Sequence, residues 1–517
     1  MPSSSDGPPI WQWSAVATAR AIRAGEVSST EVAEAHVERL RTANPAINAV
    51  VVDLTEAALE AARAADRMQA EGGELGALHG VPITLKINID LQGQANSNGV
   101  AAFADNIAPG DSPVAANFKA AGAIVLGLTN TPEFSLRGFT DNPLHGLTLN
   151  PWDSAITSGG SSGGAAASVA CGIAAIAHGN DIGGSLRCPA AFNGIATIKS
   201  TQGRVPAFNP SAAVERPLMA QLMSTQGPLA REVADVRVAL EAMSRRDPRD
   251  TWQVPAPLDG PAPPSPIKVA LAPIPGDMET DPAVVALVRQ AADHLADAGY
   301  EVREVATPDV SVAWKLWCDL ISTEIETLQA AQMRELGSAE FRQALDGLLR
   351  MATILDAEGY MKAVAQRSRI LREWLMYLED WPLILTPVSV RRTPAVNADL
   401  GGDAALRGFF WNDTRFISAI SVLGLPAAVV PVGLLDGHPV GVQIIGSRYR
   451  EDLCLGAAAA IERRVGIMAH RLWALGAVRS GDQRDPANRR GLQPTAPSAA
   501  WPRRALRSRS GSAAGRR

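Results

Sequence analysis

The chain has 517 residues, of which 46% are hydrophobic and 20% charged. This composition fits a globular protein and excludes disordered, collagen-like and coiled-coil classes. The net charge of -5 is unevenly spread: Arg471 to Arg517 holds eleven Arg, no Lys and only two acids, Asp482 and Asp485, so the remainder is acidic. An acidic body does not suit a nucleic-acid binder.

Residues 12–72 read as helices, with Trp13, Val16, Ile22, Val32, Val37 and Leu40 at roughly helical spacing and an N-cap at Ser28. His79–Asp90 has a β-branched apolar run that predicts a strand with Lys86 in its middle. Ala121–Leu128 is a second buried strand. Thr157–Gly164 is a Gly/Ser turn that enters an Ala-rich helix over Ala165–Ala177, and Asp181–Ser185 is a further Gly-rich loop. Residues 255–267 are Pro-rich, an exposed linker. Beyond them lie a strand at Lys268–Ala272, helices over 278–300 and 312–379, and short strands at Trp381–Pro387, Ala427–Val432 and Gly441–Ile445. Strands alternating with helices predict an α/β layered fold. The Pro-rich stretch either separates domains or interrupts one continuous sheet. After about residue 470 the apolar periodicity stops, and 480–517 lacks the apolar residues needed to offset the entropy of ordering. We read the segment 471–517 as a basic, disordered extension rather than an arm for anionic partners.

Lysine occurs only six times, at 86, 119, 199, 268, 315 and 362. A lysine in an apolar stretch is then a candidate for chemistry that Arg, which keeps its proton, cannot perform. Cys171, Cys188, Cys318 and Cys454 are too widely spaced for a metal knuckle or a CxxC pair and read as buried free thiols. Met1–Pro9 carries no basic-then-apolar leader. No apolar run reaches the ~18 residues of a membrane span. These features predict a cytoplasmic protein without metal, cofactor or membrane partner.

The strongest signal is a pair of Gly/Ser loops, Ser158–Gly164 (SGGSSGG) and Asp181–Arg187 (DIGGSLR). Each lets backbone approach a ligand and points N–H groups into a concavity. Three chemistries compete. Phosphate binding lacks both Gly-Lys-Ser/Thr and GxGxxG. A nucleophile elbow matches GxSxG at Gly160–Gly164 with Ser162 as nucleophile. It should follow a buried strand, however, whereas Asn150–Ser154 reads as a turn, and neither His294 nor His438 sits in a fitting motif. The third is a serine nucleophile served by a lysine whose pKa is lowered by burial. Lys86, between Leu85 and Ile87, suits that role, although an edge-strand lysine reaching out to water has the same pattern. Ser265 and Lys268 match SxxK but lie at the linker without partner motifs.

Together, Gly80-Val81-Pro82-Ile83 with Lys86, Gly159–Gly164 and Asp181–Arg187 resemble the motifs of the amidase signature family. So do Thr129–Phe134, Asp141–Asp153, Gly424–Gly433 and Pro439–Gly446. The resemblance covers roughly residues 10–465. It implies a mixed, twisted central sheet covered by helices on both faces, as one amidase signature domain over 1–470 with a helical insertion at about 312–379. It also implies a Ser–cis-Ser–Lys triad: Ser185 as nucleophile, Ser161 after a cis peptide as bridge, and Lys86 as base. The backbone N–H groups of Ile182, Gly183, Gly184 and Ser185 are the implied oxyanion hole. Asn88, where the family often has Asp, and Ser158, where it has Pro, depart from the pattern. Asp181 and Arg187 read as scaffold for the loop.

Substrate-binding residues are not legible. Trp314, Trp317, Leu328, Met333, Leu349, Met351, Ile354, Met361, Trp374 and Phe409-Phe410-Trp411 form either helix core or an apolar pocket wall. With no evident pair of charges to clamp an ionic substrate, neutral, lipophilic or aryl amides are expected. Carbamate or ester cleavage on the same site is the alternative. A glutaminase subunit of a tRNA-dependent amidotransferase and a non-catalytic binding protein are the competing classes. The resemblance leaves open whether the chain acts as a homodimer.

Overall fold

A computed structural model describes residues 7–476. Of the expected basic extension 471–517, the part from 477 onward lies outside the described residues. Eleven strands are formed: β1 (Val50–Asp53), β2 (Pro82–Lys86), β3 (Ile124–Thr129), β4 (Ile176–Asp181), β5 (Ala196–Lys199), β6 (Thr225–Ala230), β7 (Lys268–Leu271), β8 (Glu301–Glu304), β9 (Leu383–Pro387), β10 (Ala427–Leu435) and β11 (His438–Gly446). They make one mixed sheet in the order β1-β3-β2-β4-β6-β5-β10-β11-β9-β7-β8. β2 runs parallel to both β3 and β4, while β4 pairs antiparallel with β6 and β10 antiparallel with β11. The Pro-rich stretch therefore does not divide the sheet: β7, which follows it, pairs with β9 in the same sheet as β1–β6.

Side chains alternate across the sheet, as the strand period of two requires. Ile83, Leu85, Ala428, Val430, Val442 and Ile444 enter one core with the helices Val233–Met243, Pro282–Asp297 and Glu451–Val465. On the opposite face, Ala177, Leu229 and Val429 pack with Ala165 and Val169 of the helix Gly163–Ala170 and with Ala190 and Phe192 of the helix Arg187–Asn193. Thr84 and Lys86 point to this second face, where the Thr84 hydroxyl meets that of Ser168.

Several expectations are corrected. The segment 12–72 is not wholly helical. β1 separates the helices Ser29–Ile47 and Thr55–Ala70, after Asn48 ends the first in a left-handed conformation. The Ala-rich helix does not reach Ala177. It stops at Ala170, Gly172 turns the chain with a φ of 77° against the Trp11 ring, and Ile176 begins β4. Lys86 ends β2 rather than lying mid-strand. The stretch 312–379 is four helices, Val310–Leu328, Ala330–Leu336, Ala339–Met351 and Ala357–Asp380. Asp309, Ser338 and Asp356 accept backbone N–H bonds at the starts of the first, third and fourth. The helix Met468–Ala474 carries ordered chain past residue 470 because Leu472 is buried and Trp473 meets Trp11 edge to face. No helix of the described residues is long and apolar enough to cross a membrane.

Candidate active site

β2 and β4 lie side by side, and both deliver chemistry at their C-terminal ends. Lys86 closes β2 and is 0% exposed. β2 is an interior strand, so the side chain cannot reach water as an edge-strand lysine would. Its Nζ lies 2.7 Å from Ser161 Oγ, 2.8 Å from Asn180 Oδ1 and 3.1 Å from Ser162 Oγ. Burial drives the Lys86 pKa well below the usual lysine value, with the Asp181 charge opposing.

Three oxygens surround Nζ, enough for the three protons of an ammonium, and it is burial that favours the uncharged amine. Asn180 Oδ1 can only accept. Ser162 Oγ can accept from Lys86 while donating to the Asn180 carbonyl at 3.4 Å. A neutral Nζ spends its two protons on these partners and turns its lone pair to the Ser161 hydroxyl. His178, on β4, is held neutral as well: burial lowers its pKa to about 3. Its Nε2 faces Gln226 Oε1 at 2.8 Å, and its Nδ1 accepts from Lys86 N at 3.4 Å.

Ser161 follows Gly160 through a cis peptide, as the motif implies. A Cβ at Gly160 would lie 2.5 Å from the backbone of Gly138 and Phe139, so only glycine admits this close approach. Ser162, the elbow alternative, is fully buried on Lys86 and does not face the cavity that Ser161 and Ser185 line.

Ser185 sits on the loop between β4 and the helix Arg187–Asn193, open to that cavity. The loop is held from below. Asp181 accepts from Gly184 N at 2.8 Å, Arg187 Nη2 at 2.9 Å, Arg187 Nε at 3.0 Å and Leu186 N at 3.2 Å. Burial alone would raise the Asp181 pKa, but the charge and hydrogen bonds of Arg187 override it and hold the carboxyl below its ordinary range. One of the four expected oxyanion amides is thereby engaged elsewhere, because the dry Asp181 carboxylate takes the Gly184 N–H. The amides of Ile182, Gly183 and Ser185 have no acceptor among the described residues.

The cavity measures about 1210 Å³. Trp317 forms its wall beside the loop. Its Nε1 donates to Ile182 O at 2.7 Å, a Cβ on Gly183 would lie 2.6 Å from its ring, and Phe410 stacks near-parallel to it at 6.3 Å. Met333 and Phe409 also line the cavity, whereas Trp314, Leu349 and Trp374 belong to helix core. Leu328 and Met361, each 66% exposed, do neither. Asn88 and Asn180 also border Lys86, and in sequence their only signal is proximity to Lys86 and Asp181. Among the described residues, no group of three or more His, Cys, Asp or Glu could hold a metal ion, and all four cysteines are free and buried.

The family profile described as Amidase matches residues 31–455. The chain belongs to the amidase signature family. It is an amidase acting on linear amides. It is 61% identical over 465 residues to the indoleacetamide hydrolase of Bradyrhizobium diazoefficiens, covering 90% of this chain and 89% of the relative. It is 32% identical to the acylamidase of Rhodococcus erythropolis, covering 89% of this chain and 96% of that protein. Among solved structures it is similar to a bacterial aryl acylamidase of the amidase signature family, with a TM-score of 0.75 and 25% identity over 91% of this chain and all of the other.

Proposed function

We propose that this amidase hydrolyses aryl-acetamides of the indole-3-acetamide type, releasing ammonia and the aryl-acetic acid through an acyl-Ser185 intermediate. The observation that carries the chemistry is the 2.7 Å contact of buried Lys86 Nζ with Ser161 Oγ on the wall of the cavity that holds Ser185. Two findings support the substrate class: the Trp317–Phe410 stack beside the Gly183 backbone, and the 61% identical relative named indoleacetamide hydrolase.

Lys86 takes the Ser161 hydroxyl proton, Ser161 takes that of Ser185, and Ser185 Oγ bonds to the amide carbon. The amides of Ile182, Gly183 and Ser185 receive the developing oxyanion, which preorganised donors stabilise by several kcal/mol, about 3 per donor. The proton returns from Lys86 through Ser161 to the leaving nitrogen, the C–N bond breaks and ammonia departs. Water then loses a proton to the same relay and adds to the acyl carbon. Collapse restores Ser185 and frees the carboxylic acid. Asp181 and Arg187 hold the loop and take no part in proton transfer. The four buried free thiols favour a reducing, cytoplasmic setting, and the segment beyond about 470 has no part in the chemistry.

A hydrolysis panel tests the reading: indole-3-acetamide, an anilide, an aryl carbamate, a p-nitrophenyl ester, an aliphatic amide and glutamine. Indole-3-acetamide should have the highest kcat/KM. A preference for glutamine would favour the amidotransferase glutaminase reading instead, and a preference for the carbamate would move the assignment to urethane cleavage. Ser185→Ala should abolish turnover and Lys86→Ala nearly so. A chain ending at Gly476 should keep full activity.

A further inference from the structure

Asn88 lies two residues beyond the base. Ile87 and Ile89 on either side of it enter the core of the opposite sheet face, which returns Asn88 to the side of Lys86. Its carboxamide and that of Asn180 bond reciprocally. Asn180 Nδ2 donates to Asn88 Oδ1 at 2.9 Å, and Asn88 Nδ2 donates to Asn180 Oδ1 at 3.3 Å. Asn180 Oδ1 is also the acceptor for Lys86 Nζ. Asn88 Nδ2 further donates to Ser135 Oγ at 2.9 Å, and the Ser135 hydroxyl donates to Asn98 Oδ1 at 2.6 Å. Phe134 and Ser135 hold left-handed φ values of 55° and 54°. Two successive non-glycine residues in that region persist only where the surroundings impose them. A hydrogen-bonded chain thus runs from a fixed turn, through two amides, to the base.

Both amides are uncharged. The titratable and charged groups that face Lys86 are Asp181, whose charge Arg187 meets within a fully buried pair, and neutral His178, both from β4. The Ser161–Ser162 loop offers hydroxyls, and β3 offers Thr129 as the Lys86 register partner.

We propose that Asn88 is a positioning residue for the base. It fixes the Asn180 carboxamide so that Oδ1 takes a Lys86 proton and the Nζ lone pair is left aimed at Ser161. Being uncharged, it also gives the amine no carboxylate partner at this contact. The inference rests on the Lys86–Ser161–Ser185 reading.

The test compares wild type with Asn88→Asp, Asn88→Ala and Asn88→Ser. It measures kcat/KM against pH on indole-3-acetamide and the rate at which a fluorophosphonate labels Ser185 against pH. Asn88→Asp adds a carboxylate near the amine, stabilises the ammonium, and should move the acid limb of both profiles up by about one pH unit. Asn88→Ala should lower kcat about tenfold with KM little changed, the loss expected for a misaligned relay. Asn88→Ser keeps an uncharged polar group and should leave the acid limb in place, so the test holds if the Asp variant does not fold. An unmoved acid limb in Asn88→Asp, or wild-type kcat in both Asn88→Ala and Asn88→Ser, overturns the proposal. Failure of the wild-type enzyme to label at Ser185 would instead overturn the triad on which it rests.

Discussion

Asp181 and Arg187, six residues apart, form a fully buried ion pair that encloses the turn between them, and Ser185 sits on that turn. The pair is closed by further donors. Gly184 N and Leu186 N bond the carboxylate, and Ser421 and Gln443 complete the guanidinium. A charge pair removed from water survives only when its remaining hydrogen-bonding capacity is met. Here the loop's own amides meet it, so the ion pair and the loop shape are one structure. Asp181→Asn should therefore leave a buried guanidinium partly uncompensated and release the loop. A stability loss of about 3–5 kcal/mol in urea unfolding is expected, with a fall in kcat for the fraction that remains folded.

Gly184 has a φ of 113°, and a Cβ there would lie 2.5 Å from Ile417 Cγ2. Gly184→Ala meets both a backbone penalty and a steric one, and about 1–3 kcal/mol of strain is expected. The strain falls on the residue beside Ser185, so kcat should drop more than KM changes. Pairing it with Ile417→Ala, which removes the clashing Cγ2, should recover only the steric part, visible as a loss of thermal midpoint smaller than the sum of the two single variants, without full return of kcat.

Trp317 both walls the cavity and holds the Ile182–Ser185 loop through Nε1 to the Ile182 carbonyl. The two roles separate by substitution. Trp317→Phe keeps an aromatic wall and removes the hydrogen bond, worth about 0.5–1.5 kcal/mol, so it should slow aromatic and aliphatic amides alike, by roughly 2–10-fold. Trp317→Leu removes the aromatic face as well and should reduce the preference for indole-3-acetamide over an aliphatic amide. Equal effects of both variants on that ratio would show that the ring face takes no part in selection.

Asp235 is buried and accepts the backbone amides of Ala15 and Val16, at the start of the helix Ala15–Arg23. Burial raises its pKa to about 6, although those amides pull it down. The folded state therefore binds this proton more tightly than the unfolded chain, whose carboxyl titrates near 4. Stability should fall as pH rises from about 4 to about 6, by about 3 kcal/mol if this group acts alone. Asp235→Asn should flatten the urea midpoint across that window. An unchanged slope would assign it to other groups.

The short-range features were legible because their physics is local. Alternation of Ile83, Leu85 and Ile87 with Thr84 and Lys86 marks a strand whose polar side faces something other than solvent. The two Gly/Ser loops mark close backbone approach, and the amidase motifs name Ser185, Ser161 and Lys86. Alanine propensity continues past Gly172, so the local pattern predicts a helix to Ala177, and only the Trp11 ring at that glycine explains why the chain turns there. β1 was hidden between two longer helices. Its four residues are too few to overcome a helical pattern and are stabilised by pairing with β3, more than seventy residues away.

Sequence by itself determined the family and the α/β class and named the three side chains of the proposed relay, since these depend on residue types at short spacing. Tertiary structure decided what surrounds them. It placed Ser162 and Asn180 on the Lys86 amine, engaged the Gly184 amide with Asp181, and chose Trp317, Met333, Phe409 and Phe410 from a dozen large apolar side chains to line the cavity. Those assignments depend on which elements the sheet order brings together, and strand order follows from long-range packing that no local pattern encodes.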